Sequence, residues 1–367
     1  MKEKTLQKIC IAVFSAYIGV LSCASVLSEK KTFSENENRS LAPAPKLTMS
    51  ALVNGEFDEH IETWFSDQFI FRDFWIESKA ASRKAAVSIE NNDVYFAKQG
   101  KLIRRFASYP QKTLSQNINA VNKFAQDNDI TANVLLVPTA SDMDKDSRPG
   151  GAWDIDQTAL LDEIGQQMES QNFIRIDEAL SQADDVYFRT DHHWNHNGAL
   201  IGYKAIAENV LHKEPETFTF EQVSDSFKGT MYSRSGAFWT EADDLYRIVP
   251  SEEYDVRVVY DQSEETDSIY SEKRLSEKDQ YTYYVDGNHA YTEIHSENGK
   301  GNTALIIKDS YSHILIPFLV QEYEHIILID LRYWHAPVSG MIDENTDLYV
   351  IYSLDNFAQD PSPVLLR

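Results

Sequence analysis

The chain has almost no cysteine and little positive charge. Its two cysteines, Cys10 and Cys23, both lie close to the N-terminus, and everything after them is thiol-free. That excludes disulfide staples, thiolate metal centres and a cysteine nucleophile from the body of the protein. Any catalysis there must use oxygen nucleophiles, carboxylates or imidazoles. Lysine and arginine number 34 against 58 aspartates and glutamates, a formal charge of −24. Such a surface repels phosphate backbones and argues against a nucleic-acid partner. Internal repeats and low-complexity tracts are missing too. Aromatics are plentiful at 12%, with 19 Tyr and 6 Trp. That fits a folded chain whose clefts can stack on sugar rings. At 367 residues there is room for one large domain or two modest ones, each with a sizeable core.

The sequence has a single long apolar run. Ile9 to Leu27 carries no charge and follows Lys2, Lys4 and Lys8. A basic flank before such a run reads as an export signal or a membrane anchor. A retained anchor, cleavage after Ala24 and lipidation at Cys23 are all open, and each puts the remainder outside the cytoplasm. Residues 1–31 are therefore expected to be a signal anchor or signal peptide. Residues 32–90 are expected to form a linker, "TFSENENRSLAPAPKL", and two helices with Phe57, Ile61, Phe65 and Phe69 at helical spacing. These aromatics and those that follow, Phe71, Phe74 and Trp75, are expected to pack against the main domain, with a lipid-binding amphipathic helix as the alternative.

From 91 to 367 the pattern is α/β. Helices are predicted near 111–126, 155–170 and 197–210, with strands at "TANVLLVP" and "DVYF". Residues 215–300 alternate and carry turn residues, which suggests a β-rich insertion. The segment 303–331 then reads strand "TALIIKD", turn "DSYS", helix "HILIPFLVQEY", strand "HIILIDL". A βαβ unit demands a parallel sheet.

Ser310 falls where the first of those strands gives way to the helix. That is the carboxyl edge of the sheet, where ligands of open α/β sheets bind. The N–H groups of the helix start would face a developing oxyanion. Asp and Ser are also favoured helix caps, which is the plainer explanation of "DS". The partner for a serine nucleophile is in "FRTDHHWNHNG", residues 188–198. In an extended backbone Asp191 and His193 share one side while His192 points away. His193 can then serve as base and Asp191 as its orienting acid, with Trp194 packed to hold the turn. The competing reading is a metal site from Asp191, His192 and His196, since positions four apart share a helix face. No second acidic or His pair at ligand spacing is evident, and the extra acidic motifs of manganese "DHH" phosphoesterases are missing. No metal and no cofactor are expected.

The segments "YFRTDHHWN", "FKGTMYSRSG", "IIKDSYSHILIPFL" and "IDLRYW", with the earlier "FSENENRSLAPAPKL", resemble the DHHW family of Gram-positive bacteria. That family is related to alginate O-acetyltransferase proteins with SGNH-hydrolase-like domains. The resemblance implies a flavodoxin-like, SGNH-hydrolase-type parallel sheet over 91–367 and a triad of Ser310, His193 and Asp191. It implies an extracytoplasmic O-acetyltransferase or esterase acting on a cell-surface polysaccharide. A membrane O-acyltransferase is the implied source of acyl groups. Arg332 in "DLRY" matches an arginine that contacts substrate, or else is a salt-bridge partner. Lys308 replaces the glycine usual before Asp-Ser, and Gly287 and Asn288 in "DGNH" are the candidates for an oxyanion hole, though "DGN" is first a turn. A non-catalytic glycan-binding or assembly protein on the same fold is the alternative.

Overall fold

The computed structural model describes residues 2–34, 39–168 and 170–367. Residues 35–38 of the expected linker, and Glu169 at the end of the helix predicted over 155–170, lie outside the described residues. The chain forms two compact units, Met1–Ser88 with Gly236–Phe238, and Ile89–Ser235 with Trp239–Arg367.

The first unit begins with the helix Lys2–Leu27. Within it, Lys4–Leu27 is long and apolar enough to cross a membrane by length and composition, and it is the one such helix among the described residues. Three helices follow where two are expected: Met49–Asn54, Glu56–Asp67 and Arg72–Ala85. Gly55, at φ +82°, separates the first two. The linker is pinned. Asp67 takes two bonds from the Arg39 guanidinium and one from the Ala42 N–H, and the Gln68 side chain bonds both backbone groups of Lys31.

The second unit is built on strands numbered in chain order. They are β1 (Ala132–Val137), β2 (Asn172–Ile174), β3 (Phe218–Phe227), β4 (Asp243–Pro250) and β5 (Val256–Tyr260). Then come β6 (Glu264–Thr266), β7 (Tyr291–Ser296), β8 (Thr303–Lys308), β9 (His325–Ile329) and β10 (Thr346–Ser353). Eight of them make one sheet in the order β6-β5-β7-β9-β8-β10-β1-β2. From β9 to β2 every pairing is parallel. Started from β8, these five strands run 2-1-3-4-5, the flavodoxin-like order. The strand that leads into Ser310 therefore comes third of the five in this chain, although it is first in that order.

The expected β-rich insertion divides. β3 and β4 pair as a separate hairpin, while β5, β6 and β7 extend the main sheet as an antiparallel edge. Both faces of the parallel part are covered, so β1, β8, β9 and β10 read as continuous apolar runs. Leu135, Ile306, Ile326 and Ile351 belong to one core, and Val134, Leu305, Ile327 and Val350 to the other. Two predicted elements are shorter than expected. "DVYF" makes only an isolated Tyr187–Trp194 bridge, and "HILIPFLVQEY" is a 3-10 turn followed by the short helix Ile316–Leu319. The latter is buried on every side and carries Pro317 in its first turn, so no amphipathic stripe extends it.

Candidate active site

The chain leaves β8 through Asp309 into the 3-10 turn Ser310–Leu315. The Asp309 carboxylate accepts from the Tyr311 N–H at 2.9 Å and from Ser353 N–H, Ser353 hydroxyl and Asn356 Nδ2 at 3.0 Å each. Those bonds tie the turn to the end of β10. They leave Ser310 half-buried at the carboxyl edge of the parallel sheet. The same bonds change one expectation. The Tyr311 N–H goes to the Asp309 side chain and the Ser312 N–H to the Asp309 carbonyl, so neither faces an oxyanion.

The "FRTDHHW" stretch arrives as a tight bend rather than an extended strand. Asp243 holds it by accepting from Arg189 N–H at 2.6 Å, Thr190 N–H at 2.8 Å and the Thr190 hydroxyl at 2.5 Å. Asp191 Oδ1 accepts from the His193 N–H at 3.0 Å, closing an Asx-type turn. His193 Nδ1 donates to the same oxygen at 2.5 Å, and its Nε2 lies 2.8 Å from Ser310 Oγ. With the proton on Nδ1, Nε2 is the acceptor for the serine hydroxyl. Asp191 Oδ2 accepts from the Thr230 N–H at 2.7 Å and its hydroxyl at 2.8 Å. A Cβ on Gly229 would collide with that carboxylate, so only glycine lets the loop come so near.

His192 does not point away. The bend brings its ring within 3.9 Å of the His193 ring, and its Nδ1 donates to the Thr230 hydroxyl at 2.7 Å. Burial alone would raise the pKa of Asp191, but the charge of His192 and His193 and their hydrogen bonds hold it well below the usual range. Burial lowers His192, yet Asp191 brings it above the ordinary histidine value. Burial and the charge of His192 push His193 down to about 4. His193 is therefore neutral at pH 7, as a proton acceptor must be.

Aromatic rings fix the imidazole. Tyr281 stacks on His193 at 3.8 Å and 10°, and its hydroxyl donates to the Ser310 carbonyl at 2.9 Å. The Tyr311 hydroxyl donates to the His192 carbonyl, while Trp194 Nε1 donates to the Tyr311 carbonyl at 2.8 Å. Trp194 is fully buried and holds the turn. The sequence gives no signal of its own for Tyr281 and Asp243, whereas Thr230 lies inside "FKGTMYSRSG" and Tyr311 inside "IIKDSYSHILIPFL".

The other candidates form a separate charged group. Lys308 is buried, with Nζ 2.8 Å from His313 Nε2 and 3.6 Å from Asp330 Oδ2, and burial lowers its pKa to about 8. Arg332 is clamped by Asp330 at 2.8 and 2.5 Å and reaches Asn288 Oδ1 at 3.3 Å. Gly287, at φ +92°, closes a turn onto the Tyr284 carbonyl. Among the described residues, none of Lys308, Gly287, Asn288 and Arg332 hydrogen-bonds Asp191, His193 or Ser310. The competing metal set of Asp191, His192 and His196 changes membership. Asp191, His192 and His193 have donor atoms within 4.8 Å of one another. His196 instead packs on Phe220 and Tyr246.

Comparison with known proteins agrees with this fold. A DHHW family protein from Eubacterium siraeum superposes with a TM-score of 0.65 at 20% identity, covering 76% of this chain and 96% of that one. Bacillus cereus PatB1, solved with a sulfonyl adduct, gives 0.61 at 21% identity, covering 74% and 98%. No curated protein matches the chain. Residues 80–329 match the DHHW protein family, spanning both the Asp191–His193 turn and Ser310, and the chain belongs to that family.

Proposed function

We propose that this protein is an extracytoplasmic, membrane-tethered O-acyltransferase, with acetyl as the favoured group and a cell-surface polysaccharide as acceptor. The observation that carries the reading is the continuous chain Asp191–His193–Ser310, at 2.5 and 2.8 Å, with the acid and base buried and the serine accessible. Ser310 Oγ attacks the acyl carbonyl while its proton passes to His193 Nε2. The proton then goes to the departing donor oxygen, leaving the acyl group on Ser310. A glycan hydroxyl attacks next and gives its proton to His193, which passes it to Ser310 Oγ as the ester leaves, restoring the serine and the neutral imidazole. Asp191 holds the tautomer and balances the imidazolium throughout.

An apolar helix at the N-terminus supports export, and export removes the enzyme from cytoplasmic acyl donors. A membrane O-acyltransferase that hands acyl groups outward is the partner this reading requires. Arg332 follows the carboxyl end of β9, the strand beside β8, and is the proposed substrate contact with Asn288. Lys308 shares Asp330 with Arg332, and Gly287 shapes the turn just before Asn288. The test is acetyl transfer from p-nitrophenyl acetate to polysaccharide fragments. Wild type should form acetyl-Ser310, and Ser310→Ala should lose roughly 10³-fold or more in rate. Equal rates in the two proteins would defeat the proposal.

A further inference from the structure

The sheet brings a second group of metal-ligand side chains together across strands. Glu293 and His295 are two apart on β7 and so share a face. The register of β7 on β9 sets His325 directly opposite His295. The imidazoles stack at 4.3 Å and 8°, and both turn Nε2 toward Glu293 Oε1, at 3.1 Å from His295 and 2.8 Å from His325. All three donor atoms lie within 4.8 Å of one another. The Tyr291 hydroxyl interacts with the carboxylate from two residues away, the kind of outer partner that orients a metal ligand. The side chains are 44% (His295), 26% (His325) and 28% (Glu293) exposed, so solvent reaches the cluster.

We propose that Glu293, His295 and His325 form a binding site for a divalent transition cation of the zinc type. Two imidazoles and one carboxylate are the donor set that Zn²⁺ takes at three-ligand sites, with a fourth position left to water. Tetrahedral bonds of about 2.0–2.2 Å put donor atoms roughly 3.3–3.6 Å apart, so a cation would spread the 3.1 and 2.8 Å N···O spacings by a few tenths of an ångström. A cation would take the place of the two N–H protons that now converge on one oxygen. Alkaline-earth ions are disfavoured, since they prefer all-oxygen shells. The site lies level with Thr303 at the start of β8, about 20 Å from Ser310 at roughly 3.3 Å per residue. It is therefore not part of the Asp191–His193–Ser310 group. It bridges β7 and β9, the seam where the antiparallel edge joins the parallel sheet.

The test uses the untagged full chain in detergent, with Cys10→Ser and Cys23→Ser to remove the thiols. Co²⁺ is titrated by its visible d–d absorption and then displaced with Zn²⁺. One Co²⁺ per chain should bind, and one equivalent of Zn²⁺ should displace it. His325→Ala and the more exposed His295→Asn should each weaken binding at least about tenfold, the loss seen for changes merely around a metal ligand. His192→Ala should bind as before. Circular dichroism checks that each variant is folded. No Co²⁺ uptake, uptake unchanged in both the His325 and His295 variants, or uptake lost in His192→Ala would overturn the proposal.

Discussion

Ser310 Oγ and His193 Nε2 meet at 2.8 Å across 117 residues of sequence. Each is fixed by its own anchor. Asp309 ties the serine turn to β10, and Asp243 with Thr230 ties the histidine bend to the β3–β4 region. Neither side chain has to search for the other, which is the condition for a nucleophile and base to act as a unit.

The pH dependence follows from His193. It accepts a proton only when neutral, and burial with the charge of His192 holds its pKa at about 4. Reaction of Ser310 with an acyl donor should therefore stay level down to about pH 5. Replacing His192 with Gln removes the neighbouring charge, and the acid limb should move to higher pH. A wild-type limb at the ordinary histidine value, or no movement in His192→Gln, would contradict this. Because the folded-state pKa lies below the ordinary 6.5, the same group weakens the fold as pH falls from 6.5 toward 4.

Thr230 separates support from chemistry. Thr230→Val keeps the shape and the backbone N–H but takes one donor from Asp191 Oδ2 and leaves His192 Nδ1 only its longer approach to Asp191 Oδ1, at 3.3 Å. A buried polar group left unpaired costs about 1–3 kcal/mol, and the acylation rate should fall as well. Thr230→Ser, which keeps the hydroxyl, should recover both. Melting curves and acylation rates that match wild type in the valine variant would remove Thr230 from the account.

The Lys308–Asp330–Arg332 group predicts an asymmetry. Asp330→Asn leaves two cations facing each other in a buried place and should destabilise by about 3–5 kcal/mol. Lys308→Met keeps the Asp330–Arg332 pair but takes the donor from buried His313 Nε2, so it should cost no more than about 1–3 kcal/mol, less than Asp330→Asn. Burial depresses Lys308 from 10.5 to about 8, so its penalty is complete below pH 8 and fades as pH rises toward 10.5. The cost of the methionine variant should follow that window, smaller below it than above. Denaturation midpoints at pH 7 and pH 10 measure it.

How much of this could be read from the sequence depends on where the cause lies. The strands "TALIIK" and "HIILI" were legible because burial on both faces makes them apolar throughout. Asp191, His193 and Ser310, which the structure brings into one hydrogen-bonded chain, were legible as motifs. The bend at "FRTD" was not, because it is imposed by Asp243, more than fifty residues further on and itself at the start of a strand. Tyr281 was hidden in a stretch that reads as alternating β but folds as a 3-10 turn. His325 met Glu293 and His295 only through strand register, which no local pattern encodes.

The central claim is that His193 activates Ser310 as a nucleophile. The most direct measurement is intact-protein and peptide mass spectrometry after treatment with a sulfonyl fluoride, comparing wild type, Ser310→Ala and His193→Ala. The account predicts one sulfonyl group, on Ser310, no label in Ser310→Ala, and labelling slowed roughly 10³-fold or more in His193→Ala. An unlabelled wild type, a label on another residue, or His193→Ala labelling at the wild-type rate would contradict it.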